Sequence, residues 1–108
     1  DDYLCLENDY GQTALHLAVR EENMNIVHLY LERHLSCVNR GNKDGDTPLH
    51  YAAFWGHTEC ARLLLDGGAD PSFTNDKGIT PLQDAQKAGN LEIIKLLANV
   101  GGENKHEL

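Results

Sequence analysis

The stretch Asp44-Gly45-Asp46-Thr47-Pro48-Leu49-His50-Tyr51-Ala52-Ala53 turns the chain and starts a helix within ten residues. Gly45 is free to take the positive φ of a tight turn, Thr47 is a good N-cap, and Pro48 fits the first helical position, where its missing N–H costs nothing. The same cassette stands upstream as Gly11-Gln12-Thr13-Ala14-Leu15-His16-Leu17-Ala18 and downstream as Gly78-Ile79-Thr80-Pro81-Leu82-Gln83-Asp84-Ala85. Its glycine returns after 34 residues, from Gly11 to Gly45, and after 33, from Gly45 to Gly78. A period of that size marks a stack of repeated supersecondary units.

With the middle copy reading Thr47-Pro48-Leu49-His50-Tyr51-Ala52, the chain resembles the ankyrin repeat family. The resemblance implies an all-α solenoid: three stacked helix-turn-helix repeats joined by β-hairpin-like arms. The 108 residues then form one domain, with repeats at about 10–43, 44–76 and 77–108 and a lead-in arm over 1–9. In the first repeat, helices are expected over about Ala14–Glu21 and Met24–Arg33, the second carrying an apolar stripe of Ile26, Val27, Leu29, Tyr30 and Leu31. Asn23 is expected to take the left-handed turn between them, where the second repeat has Gly56-His57. The join Arg33-His34-Leu35-Ser36 is one residue longer than its counterpart, so a surface loop is expected there.

In the second repeat a helix near Thr58–Leu65 should end at Gly67-Gly68. In the third, Pro81 opens a helix, Gly89 breaks it, Leu91 to Leu97 form the second, and Gly101-Gly102 should stop it before a frayed tail, Glu103 to Glu107. Where the earlier copies have Leu17-Ala18-Val19 and Tyr51-Ala52-Ala53, the third has Asp84-Ala85-Gln86, which reads as the polar face of a C-terminal cap. No such change marks the first repeat. Further repeats upstream are therefore expected, and the start Asp1-Asp2 without methionine fits a piece of a larger parent.

The net charge of -8 argues against nucleic acid and against an anionic membrane, and favours a basic partner surface. The odd count of Cys5, Cys37 and Cys60, with no CxxC pair, predicts reduced thiols and a cytoplasmic or nuclear setting. No apolar run approaches the roughly 20 residues needed to span a bilayer.

Catalytic patterns are weak. His16 and His50 hold the same cassette position, which predicts a hydrogen bond to the neighbouring turn, and Gln83 can fill that structural role but could not serve as a base. His28, His34, His57 and His106 show no metal-site spacing, and no GxSxG, HExxH, P-loop or dinucleotide fingerprint occurs. Neither cofactor, metal nor catalytic residue is expected. Carboxylate pairs such as Asp44/Asp46 and Glu21/Glu22 read as solvated turns, and Cys37 and Cys60 as small packing residues without a base.

The functional signal lies at positions the fold leaves free. By the family resemblance these are the hairpin tips and the concave helix face, which usually meet a protein partner. The tips are Asp9, Tyr10 and Gln12; Lys43, Asp44 and Asp46; Asp76, Lys77 and Ile79. The helix-face pairs are Arg20-Glu21, Phe54-Trp55 and Lys87-Ala88. Phe54-Trp55 stand out, because buried aromatic anchors commonly carry most of an interface's energy; the other reading has Trp55 packed on the next repeat's loop. The expectation is noncatalytic binding of a protein or peptide with a basic rim. Regulation of a larger enzyme or channel and self-assembly are the alternatives, the latter not favoured. Leu31 and Val38-Asn39 also resemble the substrate pattern of an oxygen-sensing asparagine hydroxylase, with Cys37 in place of the usual acid, against a structural role for Asn39 in the arm.

Overall fold

A computed structural model of the chain describes residues 5–33 and 36–106. Six helices follow in order: α1 (Ala14–Arg20), α2 (Met24–Glu32), α3 (Pro48–Trp55), α4 (Thr58–Asp66), α5 (Pro81–Ala88) and α6 (Leu91–His106), with a 3₁₀ turn at Ser36–Asn39 after α2. No strand forms among the described residues. The helices make two layers. α1, α3 and α5 pack side by side, and α2, α4 and α6 pack behind them.

The cassette explains the inner layer. Thr13, Thr47 and Thr80 each N-cap their helix through the hydroxyl, and His16, His50 and Gln83 reach back to the capping residue's N–H, closing a capping box in all three copies. Leu15 and Leu49 are fully buried one residue before the histidines. Ala18, Ala52 and Ala85 keep the inner helices in close contact, and the second layer seals them with Val27, Tyr30, Cys60, Leu64, Ile93 and Leu97. Each large apolar side chain so buried contributes about 1.5–3 kcal/mol.

The arms are turns closed by backbone bonds: Asn8, Asn42 and Asn75 each donate N–H to the carbonyl four residues on, at 2.9–3.0 Å. Their side-chain oxygens accept from the N–H groups two and four residues on. Successive tips then join, Lys43 N–H to Tyr10 C=O at 3.0 Å and Asp76 N–H to Asp44 C=O at 2.9 Å. A Cβ on Gly45 would sit 2.8 Å from the Asp76 nitrogen, so this glycine is needed for close approach as well as for its φ of +83°.

Three expectations are corrected. Glu22, not Asn23, takes the left-handed conformation, with φ 58°, and Asn23 instead N-caps α2. Glu22 stands at the place of Gly56 (φ 78°), so the register of the break is the same in both repeats. The helix α6 does not stop at Gly101-Gly102 but continues through both to His106, since glycine weakens a helix by only about 1 kcal/mol and has no rigid stop of its own. Among the thiols expected to be free, Cys5 and Cys37 form a disulfide, leaving Cys60 unpaired. Stacking of the lead-in arm on the next one sets their Cα atoms 5.9 Å apart, a proximity no local spacing reveals. The thiol argument for a reducing compartment falls with it. The extra loop residue expected around His34 and Leu35 and the end of the tail, Glu107-Leu108, lie outside the described residues.

Candidate functional site

Two kinds of polar pin hold the repeats in register. His50 Nδ1 accepts from Thr47 N–H at 3.0 Å, which leaves the proton on Nε2, and Nε2 donates to Ile79 C=O of the next arm at 2.8 Å. His16 does the same between Thr13 N–H at 3.0 Å and Asp46 C=O at 2.8 Å. Burial is the main cause that lowers the His16 pKa, against the raising effect of the Asp46 carbonyl and carboxylate. These imidazoles are structural, as expected of them. The second pin is at the break: His57 Nε2 lies 3.0 Å from Arg20 C=O, and Asn90 donates to Ala53 C=O at 2.6 Å and Phe54 C=O at 3.2 Å. They serve carbonyls that the ends of α1 and α3 leave unpaired.

With the repeats held this way, the concave side of the inner layer and the arm tips enclose an open groove of about 770 Å³. Tyr10, Gln12, Lys43, Asp44 and Asp46 line it from the first two tips, and Lys77 and Ile79 from the third. Arg20, Phe54, Trp55, Lys87 and Ala88 line it from the helices. Glu21 and Asp76 do not line it. Glu21 is turned to solvent in an ion pair with Arg20 at 3.1 Å, and Asp76 gives its N–H to the neighbouring tip. Phe54 and Trp55 are 51% and 52% exposed and pack edge to face on each other, ring centroids 5.1 Å apart. Neither is sealed inside.

The groove floor contains residues the cassette reading did not single out. Tyr51 Oη accepts from Gln12 Nε2 at 2.8 Å and Asn42 Nδ2 at 2.9 Å, and Asp46 accepts from Asn75 Nδ2 at 2.9 Å. Asp84, read from sequence as part of an outer polar cap, is half-buried in the groove wall. Its repeat position is that of Leu17 and Tyr51, and only the fold shows that this position faces the groove. The burial of Asp84 and the neighbouring Asp46 charge raise its carboxyl pKa, against the lowering effect of His50 and Lys87.

Asp46, His50 and Asp84 bring one donor atom each within 4.8 Å of one another. Both His50 nitrogens are already committed and one Asp46 oxygen holds Asn75, so the trio is poorly disposed for a cation. Cys60 is buried and burial pushes its thiol up to about 11, which keeps it protonated and unreactive at neutral pH. Asn39 donates to Gly68 C=O at 3.3 Å and accepts from Asp70 N–H at 2.8 Å, a structural use of both amide ends. No helix of the described residues is long and apolar enough to cross a membrane.

Stacked helical pairs with tips and a concave groove define a repeat scaffold whose variable surface faces one way. Family models for ankyrin repeats match residues 2–75 (three copies) and 55–98 (many copies), and the chain belongs to the ankyrin repeat family. Such repeats are generally protein–protein interaction modules and typically noncatalytic.

The chain is 41% identical over 87 residues, 80% of its length, to the nuclear factor NF-kappa-B p105 subunit of Mus musculus, covering 9% of that protein. It is 29% identical over 101 residues, 94% of its length, to the target of rapamycin complex 2 subunit AVO2 of Saccharomyces cerevisiae, covering 24% of it. It is also 38% identical over 81 residues, 75% of its length, to a transient receptor potential cation channel subfamily A member 1 homolog of Caenorhabditis elegans, covering 7% of it. The chain thus spans a quarter or less of these relatives.

Proposed function

We propose that this chain is a noncatalytic recognition module that binds a protein or peptide in the groove between its arm tips and inner helices. The observation that carries the reading is the convergence, in one groove of about 770 Å³, of tip residues from three repeats with the exposed Phe54-Trp55 pair. A groove held by pinned repeats is preformed, so little ordering entropy is lost on association. The aromatic pair supplies the anchor, and truncating such an anchor typically costs on the order of 2 kcal/mol or more. The partner expected from overall charge has a basic rim, met by acids such as Asp44 and Asp46, and the mechanism is recognition with no bond made or broken.

The test is capture of partners by the wild-type domain and by a Phe54→Ala/Trp55→Ala variant, after far-UV circular dichroism has shown both to be folded. A specific partner retained by the first and lost by the second is the expected result. A partner that binds both equally well would move the site off the groove. A role as one module of a larger protein is supported by the small share of each relative that the chain covers, among them a subunit of a complex and a channel.

A further inference from the structure

The chain is acidic, but its groove is not. Of its 9 lysines and arginines, 4 line the groove, Arg20, Lys43, Lys77 and Lys87, against 3 of its 17 acids, Asp44, Asp46 and Asp84. Those 4 cations against 3 acids give the groove a formal charge of +1 in a chain of -8, so the negative charge belongs to residues outside it. The acids are also the less available of the two signs. Asp46 and Asp84 are half-buried in the wall, and one Asp46 oxygen already accepts from Asn75 Nδ2 at 2.9 Å. Of the three, only Asp44 is exposed.

Lys43, Lys77 and Lys87 are all exposed. Arg20 is engaged by Glu21 at 3.1 Å, but these three lysines close no ion pair among the described residues, although the Asp84 carboxyl feels the charge of Lys87 one turn away. Lys43 and Lys77 stand on arm tips joined by the bond from Asp76 N–H to Asp44 C=O, and Lys87 lies in the last turn of α5. α5 packs beside α3, which ends in the half-exposed Phe54-Trp55 pair. A ligand that covers the aromatic pair must therefore meet several ammonium groups in the same groove. Acidic groups on the ligand turn that meeting into attraction, and basic ones into repulsion. A long nucleic-acid strand also carries the right sign, but it would run out of the groove onto the surrounding acids. A short segment ends within it.

We infer that the groove takes a short acidic segment of a partner protein, its aspartates or glutamates facing Lys43, Lys77 and Lys87 and an aromatic or aliphatic side chain packed on Phe54 and Trp55. This rests on the groove being the binding site and refines its partner: the segment that enters is acidic, and the basic surface expected from overall charge is what flanks it, over the acids outside the groove.

The experiment is selection of a random nine-residue peptide library on the immobilised wild-type chain, followed by fluorescence-anisotropy titration of the enriched peptides. These peptides are expected to combine aspartates or glutamates with an aromatic residue or leucine, and to bind more weakly as salt is raised. The charge reversal Lys43→Glu/Lys77→Glu, at exposed positions that leave the fold intact by circular dichroism, should weaken binding by at least about tenfold. Arg62→Glu/Lys95→Glu makes the same change in net charge at exposed positions outside the groove and should alter binding by less than about threefold. Peptides that depend on Phe54 and Trp55 but are enriched in lysine or arginine, or that bind Lys43→Glu/Lys77→Glu as well as wild type, would overturn the acidic segment and leave the groove standing. Equal losses from the two charge reversals would overturn it too, by assigning the effect to net charge. So would a nine-nucleotide oligothymidylate that binds as tightly as the peptides and through the same lysines. Enriched peptides that bind Phe54→Ala/Trp55→Ala undiminished would overturn the groove reading itself.

Discussion

Replacing His50 with alanine removes two hydrogen bonds at once and leaves Thr47 N–H buried without its acceptor, while the half-buried Ile79 C=O keeps only the Asn75 N–H. The imidazole is 1% exposed, accepts from Thr47 N–H at 3.0 Å and donates to Ile79 C=O at 2.8 Å. A buried polar group left unsatisfied costs about 1–3 kcal/mol, and the void left by the ring adds to it, so the total loss should be about 3 kcal/mol. The third repeat contains its own control. There Gln83 keeps the capping box, with Thr80 N–H to Gln83 Oε1 at 2.9 Å and Gln83 N–H to Thr80 Oγ1 at 3.2 Å.

A His50→Gln variant should therefore keep the cap but lose the reach to Ile79, for a loss of about 1–2 kcal/mol. Urea denaturation followed by far-UV circular dichroism measures both, with the alanine midpoint falling by about 1–3 M for a domain of this size. If His50→Ala lies within about 0.5 kcal/mol of wild type, as a surface change would, the histidine is not an inter-repeat pin. Equal damage from glutamine and alanine would mean that the cap, not the link between repeats, is what matters.

Four further outcomes are expected. Because the folded pKa of Asp84 is raised above 3.8, its contribution to stability is fully present below that pH and is lost as pH rises through the folded value. Asp84→Asn should thus be more stable than wild type at pH 7, with the advantage vanishing below about pH 3.8, as denaturation at the two pH values would show. His16 acts oppositely: its folded pKa is lowered, so its contribution is present above 6.5 and is lost as pH falls from there through the folded value, which a His16→Gln comparison would detect. Cys5 and Cys37 close a loop with a separation of 32 residues, and reduction should cost up to about 4 kcal/mol, read as a lower urea midpoint in dithiothreitol and absent in a Cys5→Ser/Cys37→Ser variant. Glu22→Gly should stabilise the chain by about 1 kcal/mol in thermal melts, because glycine takes the left-handed conformation without a Cβ penalty.

Much of the candidate site was legible because the repeat places equivalent residues on equivalent surfaces. Once the glycine corner is recognised, Tyr10, Lys43 and Lys77 are tips and Phe54-Trp55 and Lys87-Ala88 are ends of the inner helices, and all of them line the groove. Asn8, Asn42 and Asn75 recur with the glycines' own period, so their role at the arm bases was readable too, though the cassette hides it by starting at the glycine. Asp84 was misread for a physical reason: a polar residue at an apolar repeat position signals exposure, but not on which side of the stack. Glu21 and Asp76 fail for the converse reason, since adjacency in sequence does not carry a helix-end or turn side chain over the rim.

By itself the sequence determined the all-α repeat stack, its helix starts and its structural histidines. Threonine caps, Pro48 and Pro81 at first helical positions and the periodic leucines are local devices that act within one repeat whatever lies beyond. The tertiary structure alone decided what depends on neighbouring repeats: the Cys5–Cys37 bridge, the pairing of Asp46 with Asp84 and the hydrogen bonds that His57 and Asn90 make to the preceding helix. Those pairs are about 30 or more residues apart in the chain, and only the stacking, which buries apolar faces without regard to sequence distance, brings them within reach.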